Sequence, residues 1–182
     1  MMSGMSQLAV LVYALVMLAC LAAVRAAAPQ SDRRGDLYHW LACAAAFAGL
    51  IALRLGQVED RLRDAGRGWA RATGEYQSRS ELQLPVVLLM AALGLAIAYV
   101  FLRLWRATRR GSRARLVLCS RFALLGLVPL FGLRLVSLHQ IDRVLYAGPL
   151  RINWMIEGAI CVVVGGCAAL YFLRIRGRSR MR

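Results

Sequence analysis

The stretch 152–173, INWMIEGAICVVVGGCAALYFL, carries one side chain charged at neutral pH, Glu157, in 22 residues. At about 1.5 Å of rise per residue, a helix of this length crosses a hydrocarbon core about 30 Å thick. A charged group at that depth is costly unless it faces protein, water or a ligand, so Glu157 is expected to point into a helix interface. Beside it, Gly158, Cys161, Gly165 and Ala168 recur at spacings of three, four and three. Small residues in such a stripe let membrane helices approach closely.

Outward along the chain, four more apolar runs of similar length appear, at about 7–27, 38–55, 84–105 and 116–137. The whole of 1–182 therefore reads as a single membrane domain, an all-α bundle of five transmembrane helices. Composition agrees. Hydrophobic residues make up 60% of the chain and the mean hydropathy is +0.57, against about 45–50% apolar residues in soluble domains. The run 7–27 lacks the basic stretch that opens a secretory signal and is long for its apolar region, so it is read as a retained span. A second small-residue stripe, Ala42, Ala45, Gly49, Ala52 and Gly56, lies on the second span. Pro129 inside the fourth span removes a backbone donor and is expected to kink it.

All 24 basic residues are arginine. Without lysine no Schiff-base cofactor such as retinal can be held in the usual way. Distributed over five spans, fifteen arginines and two acids fall on one side, and nine arginines and seven acids on the other. The positive-inside rule then places the N-terminus outside and the C-terminus in the cytoplasm of a bacterial inner membrane. The arginines between 103 and 121 and those of the C-terminal tail are expected to meet anionic lipid headgroups at the cytoplasmic face. They lack the aromatic interleaving of a nucleic-acid surface, and no nucleic-acid partner is expected.

The longest connection, Gly56 to Gln83, is mostly charged, yet Val58, Leu62, Ala65, Trp69, Ala72 and Tyr76 share one helical face. Segment 57–81 is therefore predicted to be an amphipathic helix on the outer interface, with Trp69 and Tyr76 at headgroup level. Pro85 then suits the first turn of the third span.

The polar residues near the outer ends of the last two spans form the candidate site: Arg134, His139 and Asp142 before a Gly-Pro turn, then Asn153, Trp154 and Glu157. An antiparallel hairpin brings Arg134 and Glu157 to similar depth, so an ion pair between them is the natural expectation. His139 and Asp142 form a shallower rim. No catalytic set is complete, because Ser137 stands only two residues from His139 and points to the opposite side of a helix. His39 and His139 end different spans on opposite faces, which argues against a bis-histidine haem. The cysteines Cys20, Cys43, Cys119, Cys161 and Cys167 lie inside apolar spans with no Cys-X-X-Cys pair. They read as small buried hydrophobes rather than as a disulfide framework or a metal site. The function expected from this pattern is a non-enzymatic integral membrane subunit, an accessory or assembly component of a larger complex such as an energy-converting one, with other integral membrane proteins as partners. The rival expectation is a protein that binds or transports a lipid, quinone or other small molecule through a polar pocket at the outer leaflet.

Overall fold

The computed structural model describes residues 4–29, 34–58, 61, 65, 79–108, 113–135 and 152–179. They form α1 (Gly4–Ala27), α2 (Arg34–Leu55), α3 (Arg79–Ala107), α4 (Arg113–Leu125), α5 (Leu127–Leu135) and α6 (Ile152–Ser179), with no strand among the described residues. Five stretches are long and apolar enough to cross a membrane: Ser6–Ala27, Arg34–Leu55, Pro85–Ala107, Arg113–Gly132 and Trp154–Gly177. The chain is thus all-helical with five candidate spans, the fourth made of α4 and most of α5. The predicted interfacial helix lies almost wholly outside the described residues, Trp69 and Tyr76 included.

Hydrogen bonds fix which ends of the helices are level. At one end Tyr171 on α6 donates to Asp36 on α2 across 2.8 Å. At the same end Arg115 on α4 donates to the carbonyls of Thr108 and Trp105, just past and just before the end of α3. At the other end Arg54 on α2 meets Glu157 on α6. Successive spans therefore run up and down, and α1 and α6 run parallel.

The core runs along a seam of α1, α2 and α6, joined by Val117 of α4 and by Leu127 and Leu130 of α5. On α1 the buried positions are Ala9, Tyr13, Val16, Cys20, Ala23 and Ala27; on α6 they are Glu157, Cys161, Val164, Ala168, Tyr171 and Ile175. Both sets step by four and three in the same order, the pattern of helices packed along a shared heptad seam. Val16 packs on Gly165, where an added Cβ would stand 3.4 Å from its methyl. Because α1 contributes mostly alanine and cysteine, there is room for bulky rings from its neighbours. Trp40 of α2 lies 5.3 Å from Tyr171 between ring centroids, and Phe47 lies 6.0 Å from Tyr13.

The face that α2 turns inward is not its alanine and glycine stripe. His39, Trp40, Cys43, Ala44, Phe47 and Leu50 are buried, whereas Ala42, Ala45, Gly49 and Ala52 are exposed. The two faces are opposed. Large side chains win the interior here because ring contacts with α1 and α6 gain more dispersion energy than close approach of small residues would.

The fourth span breaks at Gly126, three residues before Pro129. The Pro129 ring displaces the carbonyl four residues earlier, that of Leu125, so the interruption falls ahead of the proline. Helix α3 begins at Arg79, which puts Pro85 in its second turn rather than its first. No described side chain of α3 is buried. It packs from the side against α4 and α5, through Phe101 on Phe122 at 5.4 Å and through Met90, whose sulfur fills the space a side chain at Gly132 would need.

Ala168 has 0% exposure, so Ala168→Phe is expected to overpack the seam and lower stability by about 1–3 kcal/mol. Ala45→Phe on the outer face of α2 should leave the isolated chain unchanged. Thermal unfolding of both variants in detergent checks the pair of outcomes.

Candidate functional site

Polar side chains gather at both ends of the seam, and α2 contributes to each group. At the end where α2 finishes and α6 begins, Arg54 Nη2 stands 3.4 Å from Glu157 Oε2 and 3.5 Å from Oε1. The side chains are 16% and 5% exposed, and the guanidinium also lies 5.3 Å from the ring centre of Trp154. These distances exceed the 2.7–2.9 Å usual for a charge-assisted hydrogen bond, so the pair is an electrostatic contact with room between the groups. Arg54 sits one residue before the end of α2, and Trp154 and Glu157 lie in the first two turns of α6. The aromatic face, the cation and the carboxylate therefore meet on two adjacent helix ends.

Of the residues singled out from sequence, Trp154 and Glu157 are brought together here. The backbones of Arg134, in the last turn of α5, and Asn153, at the start of α6, are placed, but their side chains lie outside the described residues. His139 and Asp142 lie outside them altogether. The described partner of Glu157 is thus Arg54, a residue that charge counting treats only as a marker of topology. One signal for it is present: Arg54 is flanked on both sides by leucine inside an apolar span.

The other end holds a group that composition alone does not suggest. Ser120 donates its hydroxyl proton to the Val117 carbonyl at 3.0 Å, so its oxygen accepts from His39, whose Nε2 lies 2.6 Å away. That arrangement assigns the proton to Nε2. The Cys43 sulfur lies 3.6 Å from the same Nε2 and 3.9 Å from Nδ1, weak contacts one turn along α2. The Tyr171 to Asp36 bond closes the same end of the bundle. Asp36, His39 and Cys43 recur at spacings of three and four on α2, which is the periodicity that would have revealed them.

This arrangement has the outline of a nucleophile beside a base, but its chemistry is structural. Ser120 has 0% exposure, its proton is already committed to a backbone carbonyl, and Asp36 is engaged by Tyr171. The hydrogen bonds tie α2 to α4 and to α6. Two polar atoms of the core, the Tyr13 hydroxyl and the Trp40 indole nitrogen, have no hydrogen-bond partner among the described residues. Among the described residues no group of three or more His, Cys, Asp or Glu side chains could hold a metal ion.

Removing one member of the Arg54–Glu157 pair takes a counter-charge from the other in a low-dielectric interface. Arg54→Met or Glu157→Leu alone should each cost about 3–5 kcal/mol, and the double variant should regain most of it. Unfolding midpoints of the four proteins in one detergent measure this coupling, and additive losses would contradict it.

No protein family, no curated protein and no solved structure matches this chain.

Proposed function

We propose that this chain is a non-enzymatic subunit of a larger integral membrane complex, an accessory or assembly component that packs against other membrane helices. The observation that carries the reading is the outward alanine and glycine face of α2. Ala42, Ala45, Gly49 and Ala52 form a smooth strip along a central helix, turned away from every helix it packs on. Membrane helices associate through van der Waals contact and backbone approach, and strips of this kind are where they do so. The peripheral seating of α3, with exposed Leu88, Leu89, Leu95 and Tyr99, leaves a second broad surface toward lipid or a neighbour.

The arginine ledger supports an N-out, C-in orientation in a bacterial inner membrane. The Asp36 end then faces the cytoplasm and anionic headgroups, while the Arg54–Glu157 pair faces outward beneath an amphipathic segment at 57–81. In that setting the complex is one of the inner membrane, and the subunit contributes helix contacts rather than chemistry.

A second reading rests on the guanidinium of Arg54 lying over the Trp154 ring beside the Glu157 carboxylate. A cation, an aromatic face and a carboxylate near a membrane surface suit the headgroup of a lipid, a quinone or another small amphiphile. Under this reading Arg54→Gln weakens ligand retention, whereas the face of α2 has no bearing on it.

Gentle detergent extraction from the native membrane, with identification of co-purifying proteins, separates the two. Ala45→Phe combined with Gly49→Phe should strip the partner without lowering the unfolding midpoint of the isolated chain. A protein that purifies alone and monodisperse in both forms would overturn the subunit reading.

A further inference from the structure

The 2.6 Å hydrogen bond between His39 and Ser120 joins α2 to α4. The two helices begin at the same end of the bundle and run parallel. One step back along α2 and one step forward along α4 therefore turn to the same side of that bond. Those steps reach Tyr38 and Arg121, and both are exposed. The opposite step on α2 reaches Trp40, which has 0% exposure in the seam. Tyr38 and Arg121 thus flank the bond on its outer side, where the bundle meets its surroundings.

Arg121 is more than a marker of topology. It lies inside the candidate span Arg113–Gly132, eight residues and about 12 Å beyond the start of α4. An arginine exposed at that depth is costly unless an anion or water meets it, and its long stem lets the guanidinium reach back toward the end of the helix. There α2 presents Tyr38 and, four residues before it on the same outward face, the exposed Arg34. Two guanidinium groups and a phenol hydroxyl therefore offer donors on one face near the helix ends. One turn deeper than Arg121, Leu125 is 47% exposed, and Val128 beyond it is 55% exposed. The face is cationic at its rim and apolar below, which complements an amphiphile with an anionic head.

We propose that this face binds one anionic phospholipid, its phosphate held by Arg121 and the Tyr38 hydroxyl with Arg34 at the rim, and one acyl chain laid along Leu125 and Val128. A phosphate accepts several hydrogen bonds at once and suits the forked guanidinium. Basic recesses between membrane helices hold lipid headgroups by this chemistry. A carboxylate on a neighbouring helix would engage Arg121 alone and leave Tyr38 and Arg34 without a role. Phosphate headgroups line both surfaces of a bilayer, so the site holds for either orientation of the chain. It leaves Ala45, Gly49 and Ala52 uncovered and stands independently of the subunit reading.

The test titrates the full chain in detergent with phosphatidylglycerol and follows it by native mass spectrometry. A first lipid should bind ahead of later ones, and neither phosphatidylcholine nor inorganic phosphate should displace it. Arg121→Gln should weaken that first site about tenfold, the loss of one charge-assisted hydrogen bond, and Tyr38→Phe should weaken it less. Arg103→Gln combined with Arg106→Gln removes two exposed charges from α3 at the same end of the bundle and should leave the first site unchanged. Equal affinity for the two lipids, displacement by inorganic phosphate, wild-type binding by Arg121→Gln, or an equal loss in the α3 double variant would each overturn the proposal. If lipid fails to bind and Arg121→Gln instead strips a co-purifying protein, an acidic helix is the occupant and the proposal falls while the subunit reading stands. If circular dichroism shows Arg121→Gln unfolded, the wild-type chain is labelled with a diazirine-bearing phosphatidylglycerol. Cross-links in the peptides that carry Tyr38 and Arg121 support the site, and cross-links confined to α3 or α6 refute it.

Discussion

A polar side chain inside hydrocarbon must find its partner within the protein, and in this bundle that constraint converges on one helix. Asp36, His39 and Arg54 all belong to α2, and they reach α6, α4 and α6 again. At 100° per residue they fall with Phe47 and Leu50 on a single face. Each contact sets the height of a neighbouring helix against α2. The contacts at the two ends, about 18 residues and five turns apart, leave α6 little freedom to slide. Between them the seam is apolar and can be filled by rings, because its register has already been set by the polar ends.

That division of labour explains why the ends and the middle use different chemistry. Interhelical hydrogen bonds in membranes contribute modestly, about 0.6 kcal/mol on average, since polar groups find other partners in the alternative states too. They specify register more than they stabilise. Stability comes from the packing of Trp40, Phe47, Tyr13 and Tyr171 against the alanine and cysteine positions of α1 and α6. The matching four-and-three steps on α1 and α6 let large residues oppose small ones along the length of the span. Tyr13 and Trp40 are placed by their rings, and their polar atoms have no hydrogen-bond partner among the described residues.

Much of this architecture is legible from sequence, and the exceptions have a common cause. Span number and approximate position come from hydropathy and length, which depend on each segment alone. Which face of a span points inward depends on its neighbours. The alanine and glycine stripe of α2 reads as a packing face, and the structure turns it outward, because α1 is itself poor in bulk and accepts Trp40 and Phe47 instead. The same limit hides Arg54 as a partner of Glu157, because the two come from different helices and share no sequence spacing. Pro129 signals a kink correctly in kind, but the break sits at Gly126, since the proline ring acts on the turn before it.

The third span sits at the periphery because it carries no polar residue that needs a partner in the seam. Pro85–Ala107 has no buried described side chain, and its attachment is made at its ends and flank. Arg115 satisfies the carbonyls of Thr108 and Trp105 and lies over the Trp105 ring at 4.7 Å, while Thr108 itself donates to the Leu104 carbonyl, so acceptors that a helix end leaves open are met here. One member of the arginine-rich connection is therefore a helix cap rather than a marker of topology. With Phe101 on Phe122 and Met90 over Gly132, that cap ties α3 to both halves of the fourth span, so its attachment is made through α4 and α5 and the polar register contacts of α2 are made without it.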